Sequence, residues 1–276
     1  MHVHTANAEE CDRLWPAVSA EHLFGSLDEF RAHHAETGWR LRVTDRGEAA
    51  LLGPWREHLR VLAMRSVWGA ERVVPAFVAD ALEQAAEHGF ATVLSPLLPD
   101  VLLRGYLASG MRVQQRVVVI QGHPELVLPA WPPLGVVVRP GTGADLAAVS
   151  KLDAECFDEF WGYAPCELGK LIAGERLAVA QASGGAIIGY TLATVSRGAG
   201  TLARLAVAPH ARRAGIGSAL LAEAAAWALD SGAVTLALCT QEGNMASRAL
   251  YAGAGLVEVD ERYAMAVVEA DQEGRA

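Results

Sequence analysis

The sequence predicts an α/β protein made of two similar domains, and three observations support that fold class. The 276 residues leave room for two domains, since a domain of about 100–150 residues already buries its own core. Hydrophobic residues make up 52% and charged residues 20% of the chain, a composition typical of globular proteins rather than disordered ones. The third observation is that the two halves resemble each other at an offset of about 143–145 residues.

Each half contains the same order of predicted elements. Residues 76–89 and 219–232 are rich in Ala and Leu and close on a glycine, which is a common C-terminal end of a helix. Each is followed by a short β-rich run, a second short helix that carries a tyrosine, and a Val-rich final strand at 112–120 or 257–268. The pattern therefore predicts a duplicated αβαβ unit.

A proline-rich segment separates the two copies. Residues 122–133 hold four prolines, three of them within five residues, and neither a helix interior nor a central strand tolerates that density. We therefore expect a first domain at 1–121, a linker at 122–134 and a second domain at 135–270.

Charge and hydropathy exclude several classes of function. The formal net charge is −9, the wrong sign for a protein that binds nucleic acid by neutralising phosphates. No apolar run approaches the ~20 residues of a membrane-spanning helix, and residues 1–10 lack the basic start and apolar stretch of a secretory signal. We therefore expect a cytoplasmic monomer or homodimer with no nucleic-acid and no membrane partner.

The cysteines argue against a metal centre. Cys11, Cys156, Cys166 and Cys239 are few for the length and show no C-x-x-C spacing. Such a pattern favours reduced thiols over a disulfide framework, and structural zinc sites need four clustered ligands. We expect no bound metal.

A glycine-rich turn follows the predicted strand at 202–209 and opens a long helix. Glycines let a backbone approach a ligand closely, and the unpaired N–H groups and the dipole at a helix N-terminus favour an anion such as a pyrophosphate. Alone, the spacing of Gly215 and Gly217 fits either an anion site or a tight strand-to-helix turn. It does not fit a dinucleotide-binding fingerprint, because Leu220 stands where the third glycine would be.

Two motifs in this half resemble those of the GNAT superfamily of N-acetyltransferases. The family's cofactor motif, (Q/R)-x-x-G-x-(G/A) between a strand and a long helix, is matched by Arg212, Gly215 and Gly217. Its second motif, approximately N-x-x-(A/S)-x-x-L-Y-x-x-x-G-(F/L), is matched by residues 244–256. Two matched motifs in order, about 30 residues apart, are more specific than either alone. The resemblance is strong over residues 202–257.

The resemblance implies a fold, a reaction and a set of binding residues. It implies tandem domains with mixed, mostly antiparallel twisted sheets flanked by helices, and transfer of an acetyl group from acetyl-CoA, as co-substrate, directly to an amine through a tetrahedral intermediate. The backbone of Leu205, Ala206 and Val207 would pair with the pantetheine arm like an added β-strand. Other cofactor-binding residues implied by position are Arg212, Arg213, Ala214, Gly215, Ile216, Gly217 and Ser218 at the pyrophosphate, with Asn244 and Ser247 in the second motif.

Tyr251 is the residue that the resemblance places at the coenzyme A sulfur, as the catalytic acid. The departing thiolate needs a proton, and a tyrosine of pKa ~10 can donate to a thiolate whose conjugate acid has a pKa near ~8.5. The alternative is that Tyr251 only packs on an amphipathic helix, since Tyr106 holds the same place in the first copy.

The general base and the acceptor site stay open. Thr201 stands where some family members have a glutamate, so the candidates are a base acting through ordered water and the side chains of Asp158, Glu159 and His210. Residues 153–163 interleave acidic and aromatic side chains. They are suited either to hold a cationic amine by charge and ring face, or to form an aromatic core beside a charged helix face.

The first copy lacks the glycines of the turn. Residues 68–75 stand in its place, and Val73, Val74 and Pro75 replace the region of the motif glycines. Branched side chains would keep a pyrophosphate away from the backbone, and proline removes an N–H from the helix start. We therefore expect that the first domain has lost cofactor binding and completes the fold or walls the acceptor site.

The sequence thus predicts an acyltransferase that acetylates a primary amine of a small molecule or peptide. Two alternatives remain: a CoA-binding sensor or scaffold module without turnover, and an enzyme that uses a longer acyl-CoA. A binding module needs no acid beside the sulfur, so the presence of Tyr251 and Asn244 favours the enzyme.

Overall fold

The chain folds into two compact units. The computed structural model describes residues 1–21, 23–57, 60–127, 130–158 and 160–270. Unit 1 contains Met1–Arg116 and the chain from Tyr263, and unit 2 contains Val117–Arg262. None of the helices in the described residues is both long and apolar enough to cross a membrane.

Helices and strands follow one another in nearly the same order in the two halves. In the first half they are β1 (Val3–Thr5), α1 (Ala8–Ala20), α2 (Leu27–Thr37), β2 (Leu41–Thr44), β3 (Ala49–Pro54), β4 (Val61–Trp68), α3 (Val74–His88), β5 (Thr92–Leu94), β6 (Leu98–Pro99), α4 (Arg104–Ala108) and β7 (Arg112–Gly122). In the second half they are β8 (Val136–Pro140), α5 (Leu146–Cys156), α6 (Pro165–Gly174), β9 (Arg176–Ala182), β10 (Ile187–Ser196), β11 (Ala199–Val207), α7 (Ile216–Asp230), β12 (Thr235–Gln241), α8 (Met245–Gly253) and β13 (Val257–Glu269).

Each unit is built on a mixed, mostly antiparallel sheet. The strand order is β1-β2-β3-β4-β5-β13 in unit 1, where β6 also pairs with β13, and β8-β9-β10-β11-β12-β7 in unit 2. Among the described residues, the pairs β4–β5 and β11–β12 are parallel and the other pairs within a unit are antiparallel. The predicted fold class, mixed sheets flanked by helices, is confirmed.

The compact units differ from the domains expected at 1–121 and 135–270 at the last strand of each half. The end of β7, from Val117, pairs with β12 in unit 2. The end of β13, from Tyr263, pairs with β5 and β6 in unit 1. Each half of the chain therefore contributes the end of its last strand to the sheet of the other half.

The two long helices end close to glycines, as the sequence predicts. Helix α3 ends at His88, and Gly89 follows with φ of 80°. Helix α7 ends at Asp230, and Gly232 follows with φ of 84°. Only glycine adopts this left-handed conformation without strain, and it turns the chain away from the helix axis into the next strand.

Helices cover both faces of each sheet. In unit 1, α3 packs on Leu52, Leu62 and Met64, while α1 and α2 pack on the opposite face, which carries Val43 and Leu51. In unit 2, α7 packs on one face and α5 with α6 on the other. Because side chains alternate along a strand, neighbouring residues of β11 belong to different clusters, and this alternation decides which side of the candidate site each of them faces.

Candidate active site

Strands β11 and β12 pair only where they begin. Gly200 pairs with Leu236, and one rung on either side completes the contact. Strand β11 then continues to Val207 and β12 to Gln241 with no further rung between them among the described residues. The two strands therefore separate and leave one edge of β11 open along most of its length.

The open edge of β11 presents main-chain groups of alternate residues. Ala208 donates its N–H to the Ile188 carbonyl at 2.9 Å, and hydrogen-bonded pairs alternate along an antiparallel ladder. The main chain of Ala206 therefore faces β10, whereas Leu205 and Val207 direct their N–H and C=O groups toward the opening. Of the three residues expected to pair with a pantetheine arm, these two direct main-chain groups toward the opening.

Two side chains reach the end of this edge. Arg212 donates from Nε to the Val207 carbonyl at 3.1 Å, and the Cys156 thiol lies 3.4 Å from the same oxygen. Burial raises the pKa of the Cys156 thiol, so it stays protonated at neutral pH.

The turn from β11 to α7 contains two left-handed residues. Arg213 has φ of 66° and Gly215 has φ of 85°. For a side chain such as arginine this conformation costs about 1–2 kcal/mol. Left-handed residues in a loop turn successive N–H groups toward one concave side, which suits an anion. Helix α7 begins at Ile216, and its N-cap residue is Gly215, which makes no side-chain hydrogen bond to the helix. The first N–H groups of α7 therefore have no capping partner from Gly215.

The two motif glycines have different roles in the structure. Gly215 has a positive φ, and a Cβ there would meet no atom within 4 Å, so its conformation is what requires glycine. Gly217 lies in the first turn of α7, and a Cβ there would lie 3.3 Å from the Leu250 side chain and 3.8 Å from that of Val207. At this position the close approach of α7 to α8 favours glycine.

Asn244 and Ser247 form the start of α8. The Asn244 carboxamide oxygen accepts the Ser247 N–H at 3.2 Å, which is the ordinary bond of an N-cap. Its amide nitrogen lies 3.5 Å from the Gln241 side-chain oxygen. Both residues are half-buried. The hydrogen bond gives Asn244 a capping function, and the cofactor contact expected from the motif remains a prediction.

Tyr251 lies inside unit 2, 6% exposed, in the apolar cluster beneath α7. Leu202 belongs to the same cluster, and Leu205 packs against it. Burial raises the pKa of Tyr251 to about 12. The phenol is therefore neutral at physiological pH and able to donate a hydrogen bond.

The described candidate bases lie on different segments. Asp158 follows α5 and accepts the Trp161 N–H at 2.9 Å, which closes its own turn. His210 is exposed in the turn from β11 to α7. Thr201, where some family members have a glutamate, is exposed on β11. Glu159 lies outside the described residues. Among the described residues no group of three His, Cys, Asp or Glu side chains is placed to hold a metal, and the four cysteines are free.

A buried ion pair next to the opening was not foreseen from the sequence. Arg204 of β11 and Asp153 of α5 have side chains that are 6% and 0% exposed, with Nη2 and Oδ1 2.7 Å apart. Tyr190 of β10 also bonds to the Asp153 carboxylate, and burial beside that carboxylate raises the Tyr190 pKa. The one signal in the sequence is an arginine inside an otherwise apolar strand. Because Asp153 is fully engaged, it does not face a ligand.

Unit 1 has an equally short parallel pairing but a different turn. Strands β4 and β5 pair at Leu62 and Val93, with one rung on either side. Helix α3 then begins at Val74, after residues 69–73. No left-handed residue lies in that turn among the described residues, and Val73 is fully buried.

Comparisons with known proteins agree with this geometry. Residues 146–256 match the acetyltransferase (GNAT) family. A GCN5-related N-acetyltransferase from Sphaerobacter thermophilus superposes with a TM-score of 0.66 at 19% identity, over 98% of this chain and 95% of that one. A tandem GNAT protein from the clavulanic acid biosynthesis pathway gives 0.63 at 16% identity, over 84% and 82%.

A third structure, a probable N-acyltransferase of unknown function from Enterococcus faecalis V583, gives a TM-score of 0.65 at 10% identity, over 98% of this chain and 72% of that one. No curated protein matches the chain. At these identities the structural matches establish the fold. Residues 146–256 therefore match the acetyltransferase (GNAT) family, and the structural neighbours share the fold of this chain over most of its length.

Proposed function

We propose that unit 2 transfers an acetyl group from acetyl-CoA to the primary amine of a small molecule or a peptide. The family match supports acyl transfer from acyl-CoA, and the acetyl group and the amine are our proposal. The observation that carries it is the open edge of β11, which leads into the turn at 208–215 and whose Leu205 packs against the cluster that contains Tyr251. We also propose that unit 1 binds no acyl-CoA.

The open edge and the turn are suited to the two halves of coenzyme A. The N–H and C=O groups of Leu205 and Val207 would bind the amides of the pantetheine arm as an added strand does. The N–H groups around Arg213 and Gly215 and at the start of α7 would bind the pyrophosphate. Arg212 is exposed beside the turn and would add positive charge.

The main chain of β11 also offers a donor for the carbonyl oxygen. Attack of the amine nitrogen on the thioester carbon places negative charge on that oxygen, and N–H groups fixed in advance stabilise such a charge. The Leu205 N–H faces the opening, whereas that of Ala206 faces β10. We therefore assign the donor to Leu205.

Tyr251 would assist departure of the thiolate by hydrogen bonding. Its pKa of about 12 lies above the ~8.5 of a thiol, so complete transfer of its proton to the thiolate is uphill. When the carbon–sulfur bond breaks, the phenol donates a hydrogen bond to the sulfur and retains its proton, and the thiolate takes a proton from solvent. The proton lost by the amine passes to water.

The direct test is release of free coenzyme A from acetyl-CoA across a panel of primary amines and peptides. Acceptor-dependent release above the rate of thioester hydrolysis is the expected result. Binding of acetyl-CoA without release for any acceptor would instead support the sensor or scaffold module. Mass spectrometry of the acyl-CoA that copurifies with the protein distinguishes acetyl from longer acyl groups.

A further inference from the structure

The Arg204–Asp153 pair binds the segment that follows α5. The guanidinium donates from Nη2 to the Trp161 carbonyl at 2.9 Å, and the Asp153 Oδ2 atom accepts the Tyr163 N–H at 2.8 Å. The guanidinium carbon lies 3.4 Å from the centre of the Phe157 ring and 4.4 Å from that of Tyr163. Phe157, Trp161 and Tyr163 are thus all held by one ion pair.

Phe157 and Tyr163 lie beside the face of β11 opposite to Tyr251. Arg204 precedes Leu205 on β11, and successive side chains of a strand point to opposite faces. Leu205 packs toward the cluster that contains Tyr251, whereas Arg204 reaches α5. An amine that approaches the open edge from the face away from Tyr251 therefore meets this segment, where the rings of Phe160 and Trp161 are partly exposed.

Stability alone is a poor explanation for this pair. Burying two charges costs free energy that their attraction only just offsets, and apolar side chains of similar size often do as well. In unit 1 the register shift between β3 and β4 places Ser66 at the position that Arg204 holds in unit 2. The same sheet therefore forms with a serine at this position.

We propose that Arg204, paired with Asp153, is a positioning residue that holds Phe157, Trp161 and Tyr163 as one wall of the acceptor site. This proposal rests on the proposed function, because it assigns a role in acceptor binding. Arg204 acts through the segment and does not touch the reacting atoms.

The test compares Arg204→Lys with Arg42→Lys. Arg42 forms an equally buried pair with Asp80 in unit 1, with side chains 8% and 7% exposed, so both variants exchange a planar guanidinium for an ammonium. For R204K we expect the acceptor KM to rise about tenfold, a typical cost of a misplaced binding group, with acetyl-CoA affinity unchanged. Amide hydrogen exchange over 157–163 should become faster in R204K only.

The proposal is overturned if R204K leaves both the acceptor KM and the exchange rates of 157–163 as in the wild type, or if R42K changes them equally. Should R204K fail to fold, Tyr163→Leu keeps the ion pair and removes one stacked ring, and it should raise the acceptor KM alone. Should the wild type show no acceptor-dependent release, the proposed function fails, and the exchange rates still decide whether Arg204 holds the segment.

Discussion

The two strand-to-helix turns of this chain differ far more than the sheets that carry them. The turn after β4 is residues 69–73, and the turn after β11 is residues 208–215. In both units the strand before the turn pairs in parallel with its neighbour at three rungs among the described residues. Both strands also show a register shift against their antiparallel partner. The shared sheet is therefore the scaffold, and a function limited to one unit resides in the turn.

The turn in unit 1 is closed by side chains. Pro75 lies in the first turn of α3 and has no N–H. A Cβ on Gly105 would lie 3.2 Å from both Glu71 and Val74, so the segment around α4 packs directly against the start of α3. In unit 2 the longer turn has two left-handed residues and a glycine start instead. We infer that only the latter can present its N–H groups to a pyrophosphate.

The two tyrosines, in contrast, are alike. Tyr106 and Tyr251 are 3% and 6% exposed, and burial raises the pKa of both. A buried tyrosine at this place therefore belongs to the fold, and its chemical role depends on whether a thioester lies beside it. This makes Tyr106 a control inside the same molecule.

The largest effect is expected from Gly215→Val. Its positive φ excludes a branched side chain, so the turn must change shape and lose donors to the pyrophosphate; two lost charged hydrogen bonds weaken acetyl-CoA binding about 10³-fold. Gly232→Val is the matched control, because Gly232 has φ of 84° and equally open space at the other end of α7. Calorimetric titration with acetyl-CoA measures both. Equal affinities in the two variants would remove the turn from the binding site.

Tyr251→Phe should come next, with kcat lowered about 10²-fold, the usual loss when one fixed hydrogen-bond donor to a developing charge is removed. Acetyl-CoA affinity should stay the same, because the ring remains packed. Tyr106→Phe should leave kcat unchanged. Steady-state rates of coenzyme A release test both, and an unaltered kcat in Y251F would leave that tyrosine with a packing role only.

The pH profile tests the protonation state of Tyr251. A folded-state pKa of about 12, above the ordinary value of 10, means that the neutral phenol persists as pH rises. We expect kcat/KM to rise as the acceptor amine loses its proton and to show no fall up to pH 10. Stability linked to this group is complete below pH 10 and is lost as pH rises toward 12. A descending limb below pH 10 that disappears in Y251F would contradict the buried, neutral phenol.

The smallest effect is expected from Asn244→Ala. Removing an N-cap costs about 1 kcal/mol of stability, and Asn7, which accepts the Glu10 N–H at 2.9 Å, is the matched cap in unit 1. Both variants should lower the free energy of unfolding by similar amounts. Only N244A should also weaken acetyl-CoA binding, by a factor of about three to ten if one weak hydrogen bond is lost. Unchanged affinity in N244A would leave Asn244 a cap alone.

Features that depend on local sequence could be predicted. Glycines at the ends of the two Ala- and Leu-rich segments predicted where α3 and α7 end, because the left-handed conformation that follows a helix strongly favours glycine. The two motifs located the turn at Arg212 to Gly217 and the helix of Tyr251. The family match over residues 146–256 contains both motifs.

Features that depend on strand pairing or on contacts between distant residues could not be predicted from the sequence. The ends of β7 and β13 are Val-rich and would suit either sheet. Nothing in their sequence pattern therefore shows that each pairs in the sheet of the other half. The direction of the Ala206 main chain follows from the register of β10 on β11, which has no residue signature. Asp153 and Arg204 are 51 residues apart, and although Arg204 is conspicuous in an apolar strand, nothing in the sequence identifies Asp153 as its partner.

The central claim is one acetyl-CoA site per chain, in unit 2, and the stoichiometry of binding tests it most directly. Calorimetric titration of the whole chain with acetyl-CoA should give one site, and that site should disappear in Gly215→Val but persist in Pro75→Ser. Two sites per chain, or a single site that survives Gly215→Val and disappears in Pro75→Ser, would contradict the account.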